Sequence, residues 1–296
     1  MSPIAKRWIR RLLVVGAVCL LAGIGFSMYV GRQLIAPVPR VIGKPPESLG
    51  GEAVEFASGS GSRIVGWLDA SKDADASILL LHAIRADRRS MSGRARFFRE
   101  EGYNTLCIDF QAHGESPGEH ITIGHLEAMD AASGVEFLRE RFPGLPVGIV
   151  GTSLGGAAAL MADYAEPPEA FVVEAVFADV ETAIGNRFDI RFGRGGRLLS
   201  PLLTWQIEPL LGVDVETLSP VRSAARVEQP VFVVYGSEDR RARPTEARAI
   251  YAALAGPKQI WEVVGASHVD LHRFAGGNYE SRVTDFLAAN LRTGND

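Results

Sequence analysis

Three residues stand where this chain has the means for chemistry: Ser153 in G-T-S-L-G-G, Asp239 in G-S-E-D and His268 in G-A-S-H. Each follows a short run of β-branched residues, so each is expected at the C-terminal end of a strand. A serine hydroxyl is a weak nucleophile until a base takes its proton, and a histidine held by a carboxylate is a common base. The order Ser, Asp, His, with separations of 86 and 29 positions, suits that division of labour. His268 would accept the Ser153 proton, and Asp239 would fix the tautomer and stabilise the imidazolium. Gly151 and Gly155 flank the serine, because side chains there would collide with the neighbouring strand or helix at so sharp a turn. The same residues also fit a plain helix cap in a chain with 32 glycines, so the motif takes its meaning from its partners. His272 is a second candidate base and Glu238 a second candidate acid.

The elements that must position these residues alternate along the chain. Residues 52–57 and 63–68 read as a hairpin, and 77–82, 105–109, 147–152, 170–178, 230–235 and 259–264 as strands. Helical patterns cover about 90–101, 125–141, the alanine-rich run after Ser153, 244–254 and 279–291. Buried strands alternating with helices imply an α/β fold, a mostly parallel sheet with helices on both faces and ligands beyond the strands' C-terminal ends. The alternation lapses over about 180–226, where glycines and four arginines within 182–211 and an apolar stretch at 198–211 suggest a small helical lid.

Residues 12–31 carry no charge, and at 1.5 Å per residue twenty residues cover about the 30 Å of a hydrocarbon core. Residues 1–11 form a basic tail with Lys6, Arg7, Arg10 and Arg11, which predicts a cytoplasmic N-terminus and an exported, extracytoplasmic body. A cleaved signal peptide is the competing reading; the apolar run is longer than such segments usually have, and no A-x-A site ends it. Residues 32–50, with four prolines and no helical period, read as a semi-rigid tether, and 51–296 as the catalytic domain. Of the 31 basic residues seven fall in 1–44, leaving 24 against all 35 acidic ones, a net of −11 that excludes a nucleic-acid partner. Cys19 and Cys107 lie in settings that rule out a mutual disulfide, and neither a metal site nor a cofactor motif is present. Oligomeric state is not legible.

The stretches L-L-L-H-A-I-R (79–85), D-F-Q-A-H-G-E-S (109–116), G-T-S-L-G-G (151–156), G-S-E-D (236–239) and G-A-S-H (265–268) together resemble the α/β-hydrolase superfamily over about residues 51–296. The anchored layout is similar to membrane-tethered hydrolases of that superfamily. The resemblance implies an eight-stranded sheet and an oxyanion hole made by the backbone N–H groups of Leu154 and Ile84. It also implies that His82 and His113 are structural. The family has His-Gly after the third strand, whereas this chain has His82-Ala83, a methyl group expected to restrict the loop's φ. The serine at the elbow sets the chain apart from dehalogenases and epoxide hydrolases of this fold, which carry aspartate there.

The expected reaction is hydrolysis of a small-molecule acyl ester through a Ser153 acyl-enzyme. A thioesterase, amidase or peptidase would use the same triad, and a catalytically silent membrane-tethered binding module is the alternative of another class. Ten arginines crowd segments expected on the site's rim, with Arg85, Arg187, Arg191 and Arg240 the foremost candidates for holding an anionic substrate or an anionic membrane surface. The competing reading pairs these arginines with Asp87, Asp189 and Glu238.

Overall fold

The computed structural model describes residues 2–291; residue 1 of the expected basic tail and 292–296 of the expected domain lie outside them. The apolar runs form one sheet of eight strands: β1 (Glu52–Ala57), β2 (Arg63–Asp69), β3 (Ser77–Leu81), β4 (Asn104–Ile108), β5 (Val147–Thr152), β6 (Ala170–Glu174), β7 (Val231–Gly236) and β8 (Lys258–Val263). Their spatial order is β1-β2-β4-β3-β5-β6-β7-β8. The hairpin strands pair antiparallel with each other and β2 antiparallel with β4; all other neighbours are parallel.

Because successive side chains on a strand point to opposite faces, each central strand feeds two cores. Leu79, Ile149, Val173 and Val233 meet Val135, Ala158 and Ile250 from helices α3 (His125–Arg141), α4 (Leu154–Met161) and α6 (Pro244–Ala253). Leu80, Val150, Val172 and Val234 meet Phe98, Val283 and Leu287 from α2 (Ser92–Glu100) and α7 (Gly277–Leu291). A sheet covered on both faces needs uninterrupted apolar strands, as the sequence shows. The run predicted over 170–178 stops as a strand at Glu174, since Ala175 has φ +50° and turns the chain out of the sheet.

The first helix, α1 (Pro3–Ile35), is long and apolar enough to cross a membrane. It continues four residues past the charge-free stretch, and its end is fastened to the body. Val38–Pro39 pairs with His113–Gly114, the N–H groups of Ile42 and Gly43 donate to Glu115 Oε1 at 3.0 Å each, and Leu49 is buried. The segment expected as a tether therefore lies along the body as a strap. The lid consists of α5 (Val180–Phe192) followed by helical turns at Pro201–Thr204 and Ile207–Leu211.

Candidate active site

Ser153 joins β5 to α4 with φ 53° and ψ −108°, a conformation side-chain-bearing residues rarely adopt. Close packing holds it there. Its N–H donates to the Glu174 carbonyl at 2.7 Å, on the neighbouring strand. A Cβ on Gly151 would stand 2.6 Å from backbone atoms of Gly155 and Gly156; one on Gly155 would collide with the Leu81 carbonyl, and one on Gly156 with Val176. The glycines around Ser153 thus let β5, β3 and α4 approach closely enough to impose the turn. Ser153 is buried except toward a cavity of about 180 Å³ under the lid.

Asp239 and His268 come together beyond the ends of β7 and β8. His268 Nδ1 lies 2.7 Å from Asp239 Oδ2, while Asp239 Oδ1 accepts the N–H groups of Arg241 (2.7 Å) and Ala242 (2.9 Å). The ionised carboxylate accepts from Nδ1–H, which leaves Nε2 as the basic nitrogen. His268 borders a small cavity with Ala83, Ala175 and Thr152, the residue before Ser153. Among the described residues no hydrogen bond involving Ser153 Oγ is formed; such contacts commonly tighten when substrate binds. The rival candidates are engaged elsewhere: His272 Nε2 lies 2.9 Å from Glu280 Oε1 and its ring packs against Phe97 and Tyr279, while Glu238 is exposed.

The loop after β3 is held by two histidines. Phe110 N–H donates to His82 Nε2 (3.2 Å), so Nδ1 carries the proton and donates to the Ala83 carbonyl (2.8 Å). Arg85 N–H donates to His113 Nε2 (3.1 Å), and His113 Nδ1 in turn donates to the Gln111 carbonyl (2.9 Å). Burial, helped by the nearby His113, pushes the His82 pKa down to about 3, and burial likewise lowers His113. Between these fixed points lies Ile84, which lines the Ser153 cavity with Leu154. The methyl group of Ala83 is harmless here, because the left-handed residue of the loop is Arg85 (φ 61°), not Ala83.

The arginines divide. Arg88 is fully buried in ion pairs with Asp109 and Glu115, Arg89 pairs with Asp87, and Arg197 and Arg243 share Asp189. Arg85 and Arg187 line the cavity over Ser153; Arg191 stacks on Phe192, and Arg240 is exposed. Sequence reasoning missed Arg94, which is buried under the site. It pairs with Glu174 (2.5 Å) and Asp270 (2.9 Å), and Glu174 also accepts from Tyr279 and from Thr152 Oγ1 (3.1 Å). This network braces the elbow strand against the His268 loop. Its one sequence signal was a lone glutamate in the apolar run A-F-V-V-E-A-V-F.

Known proteins resemble this chain in sequence and in fold. The model of the serine aminopeptidase S33 family matches residues 72–207, a span that holds Ser153 and the loop after β3 and ends before Asp239 and His268. YfhR of Escherichia coli strain K12 is 24% identical over 271 residues, covering 88% of this chain and 87% of YfhR; YqkD of Bacillus subtilis is 22% identical over 240 residues, 79% and 78%. In three dimensions the chain is similar to an esterase of Pyrococcus furiosus, with a TM-score of 0.73, 24% identity, and coverage of 87% of this chain and 99% of that one. It is also similar to an acylaminoacyl peptidase of Pyrococcus horikoshii, with a TM-score of 0.59, 18% identity, and coverage of 83% and 43%.

Proposed function

We propose that the chain, which has the α/β-hydrolase fold, is a member of that superfamily and a membrane-anchored serine hydrolase that cleaves acyl esters. Ser153 Oγ attacks the ester carbonyl carbon as His268 Nε2 takes its proton. The tetrahedral oxyanion rests on the N–H groups of Leu154, at the start of α4, and Ile84. Collapse breaks the bond to the alkoxide, which leaves with the proton from His268. Water, deprotonated by the same ring, then releases the acid from Ser153.

The observation that carries the ester reading is the lining of the cavity: Ile84, Ile123, Phe177, Val180, Leu203 and Ile207 supply most of it, and no carboxylate is among its residues. An aminopeptidase must hold the ammonium of its substrate's first residue, and burying that charge without a partner is costly. An apolar acyl chain meets no such penalty, and its burial is favoured by about 0.8 kcal/mol per methylene. Arg187 in the same wall supports a second preference, for esters with an anionic group at the pocket's edge.

Labelling with a fluorophosphonate probe tests the nucleophile, and Ser153→Ala is expected to abolish it. Asp239→Asn, which upsets the His268 tautomer, is expected to lower kcat about ten-thousand-fold. Persistent labelling of Ser153→Ala would overturn the assignment. A series of esters, thioesters and aminoacyl amides separates substrate classes, with kcat/KM expected to rise with acyl length and to be lowest for the aminoacyl amide.

A further inference from the structure

The anchor helix forms part of the pocket. Gly31, Leu34 and Ile35, in the last two turns of α1, line the cavity over Ser153 opposite Leu154 and Phe177. The contact is specific: Ser27 Oγ donates to the Leu202 carbonyl (2.5 Å) and accepts from Gln206 Nε2 (2.7 Å), and a Cβ on Gly31 would strike the Gln206 side chain. Arg85 closes the helix end, donating to the carbonyls of Gln33 (3.3 Å) and Ala36 (3.5 Å), and Ile121 N–H donates to the Ile35 carbonyl (2.8 Å).

This contact fixes the depth of the lid. Ser27 lies within the charge-free stretch, about 6 Å along the helix before Gly31. With that stretch in the hydrocarbon core, Leu202 and Gln206, which touch Ser27, lie at the edge of the leaflet. The lid is built for that position. Its inward residues Leu203, Gln206 and Ile207 line the cavity, whereas Leu198, Leu202 and Trp205 face outward and are 82%, 48% and 50% exposed. Phe192 is exposed beside them, with Arg191 and Arg194 on the same lid, an apolar face rimmed by cations and carrying the tryptophan favoured at membrane interfaces. Left in water, such a patch on a monomer would be a liability.

We propose that the outer face of the lid is embedded in the leaflet from which α1 emerges, and that the cavity walled by Gly31, Leu34 and Ile35 takes the acyl chain of an ester resident in that leaflet. The second half rests on the serine-hydrolase reading; the first does not. Removing residues 1–35 by signal cleavage would open the wall of the pocket, so the proposal requires the helix to be retained as part of the site.

The full chain in phosphatidylcholine vesicles provides the test. Brominated phosphatidylcholine is expected to quench tryptophan fluorescence, and the quenched fraction is expected to fall in Trp205→Phe; equal quenching of the two proteins overturns the embedding. The double variant Leu198→Asp/Leu202→Asp, outside the cavity, is expected to hydrolyse a soluble acetyl ester at the wild-type rate. On a vesicle-resident hexadecanoyl ester it is expected to lose at least about tenfold, the scale set by burial of a few methylenes. Wild-type rates on both esters, with fluorophosphonate labelling intact, overturn the bilayer supply of substrate. Absence of labelling in the wild type overturns the hydrolase reading instead and with it the acyl pocket, while leaving the quenching result to decide the embedding.

Discussion

At the scale of single residues, the site depends on groups that do no chemistry. His82 and His113 are buried and neutral, and each spends both ring nitrogens on backbone groups around the loop that carries Ile84. Their neutrality has a pH signature. With its folded pKa near 3 against about 6.5 in the unfolded chain, His82 binds fewer protons folded than unfolded, so its contribution to stability is lost as pH falls from about 6.5 toward 3. Asp130 acts in the opposite sense: burial raises its pKa to about 6, so folding becomes more favourable as pH drops through that value. The wild-type curve is therefore composite, and the difference between wild type and His82→Gln isolates the histidine. That difference, measured by urea unfolding in detergent micelles, is expected to be largest at pH 7 and to shrink toward pH 4. A pH-independent difference would show that the ring titrates normally in the fold.

At the scale of elements, the sheet carries the proposed triad at the ends of its strands, and a buried ion pair ties the strand beside Ser153 to the loop of His268. Arg94 on α2 joins Glu174 at the end of β6 to Asp270, two residues past His268, across 80 and 176 positions of sequence. Arg94→Met leaves the Glu174 carboxylate buried without its cation, for which a loss of about 3–5 kcal/mol is expected. In Arg94→Met/Glu174→Gln no buried carboxylate is stranded, since Asp270 is open to solvent, so part of that loss should return. Urea unfolding reads the stability, and the rate of fluorophosphonate labelling in protein that remains folded reads the spacing; a single variant with wild-type values of both would show the pair to be idle. Much of the frame was legible in the sequence because its signals are local: apolar runs for β3, β5 and β7, helical periods for α3 and α6, and a glycine-flanked serine. The ends of elements were less so, since β6 stops where Ala175 takes a positive φ that no apolar pattern encodes. Contacts between distant segments were not legible at all. Arg94 reads as an ordinary surface arginine of an amphipathic helix, and nothing in residues 32–50 announces that Ile42 and Gly43 will donate to Glu115.

At the scale of the whole molecule, charge and hydrophobicity are distributed along one axis. Four cations precede the charge-free stretch of α1, and a body of net charge −11 follows residue 44. Basic residues close to a span are retained on the cytoplasmic side, so Ser2 is expected in the cytoplasm and the hydrolase body outside the membrane. If the lid rests on a leaflet, this orientation makes it the outer leaflet of that membrane, and esters entering the pocket would come from there. The native cysteines suit a labelling test. Cys19 lies within the charge-free stretch, and Cys107 is buried, its thiol pushed up to about 12 mainly by burial, so neither offers a ready thiolate to an aqueous maleimide. Lys72, in the exposed turn between β2 and β3, and Ser2 are both accessible positions. A membrane-impermeant maleimide added to intact cells stripped of any outer barrier is expected to label Lys72→Cys, and to label Ser2→Cys only after the membrane is permeabilised. The reverse pattern would place the active site in the cytoplasm and make the inner leaflet the source of its acyl chains, with the pocket, the anchor wall and the lid unchanged.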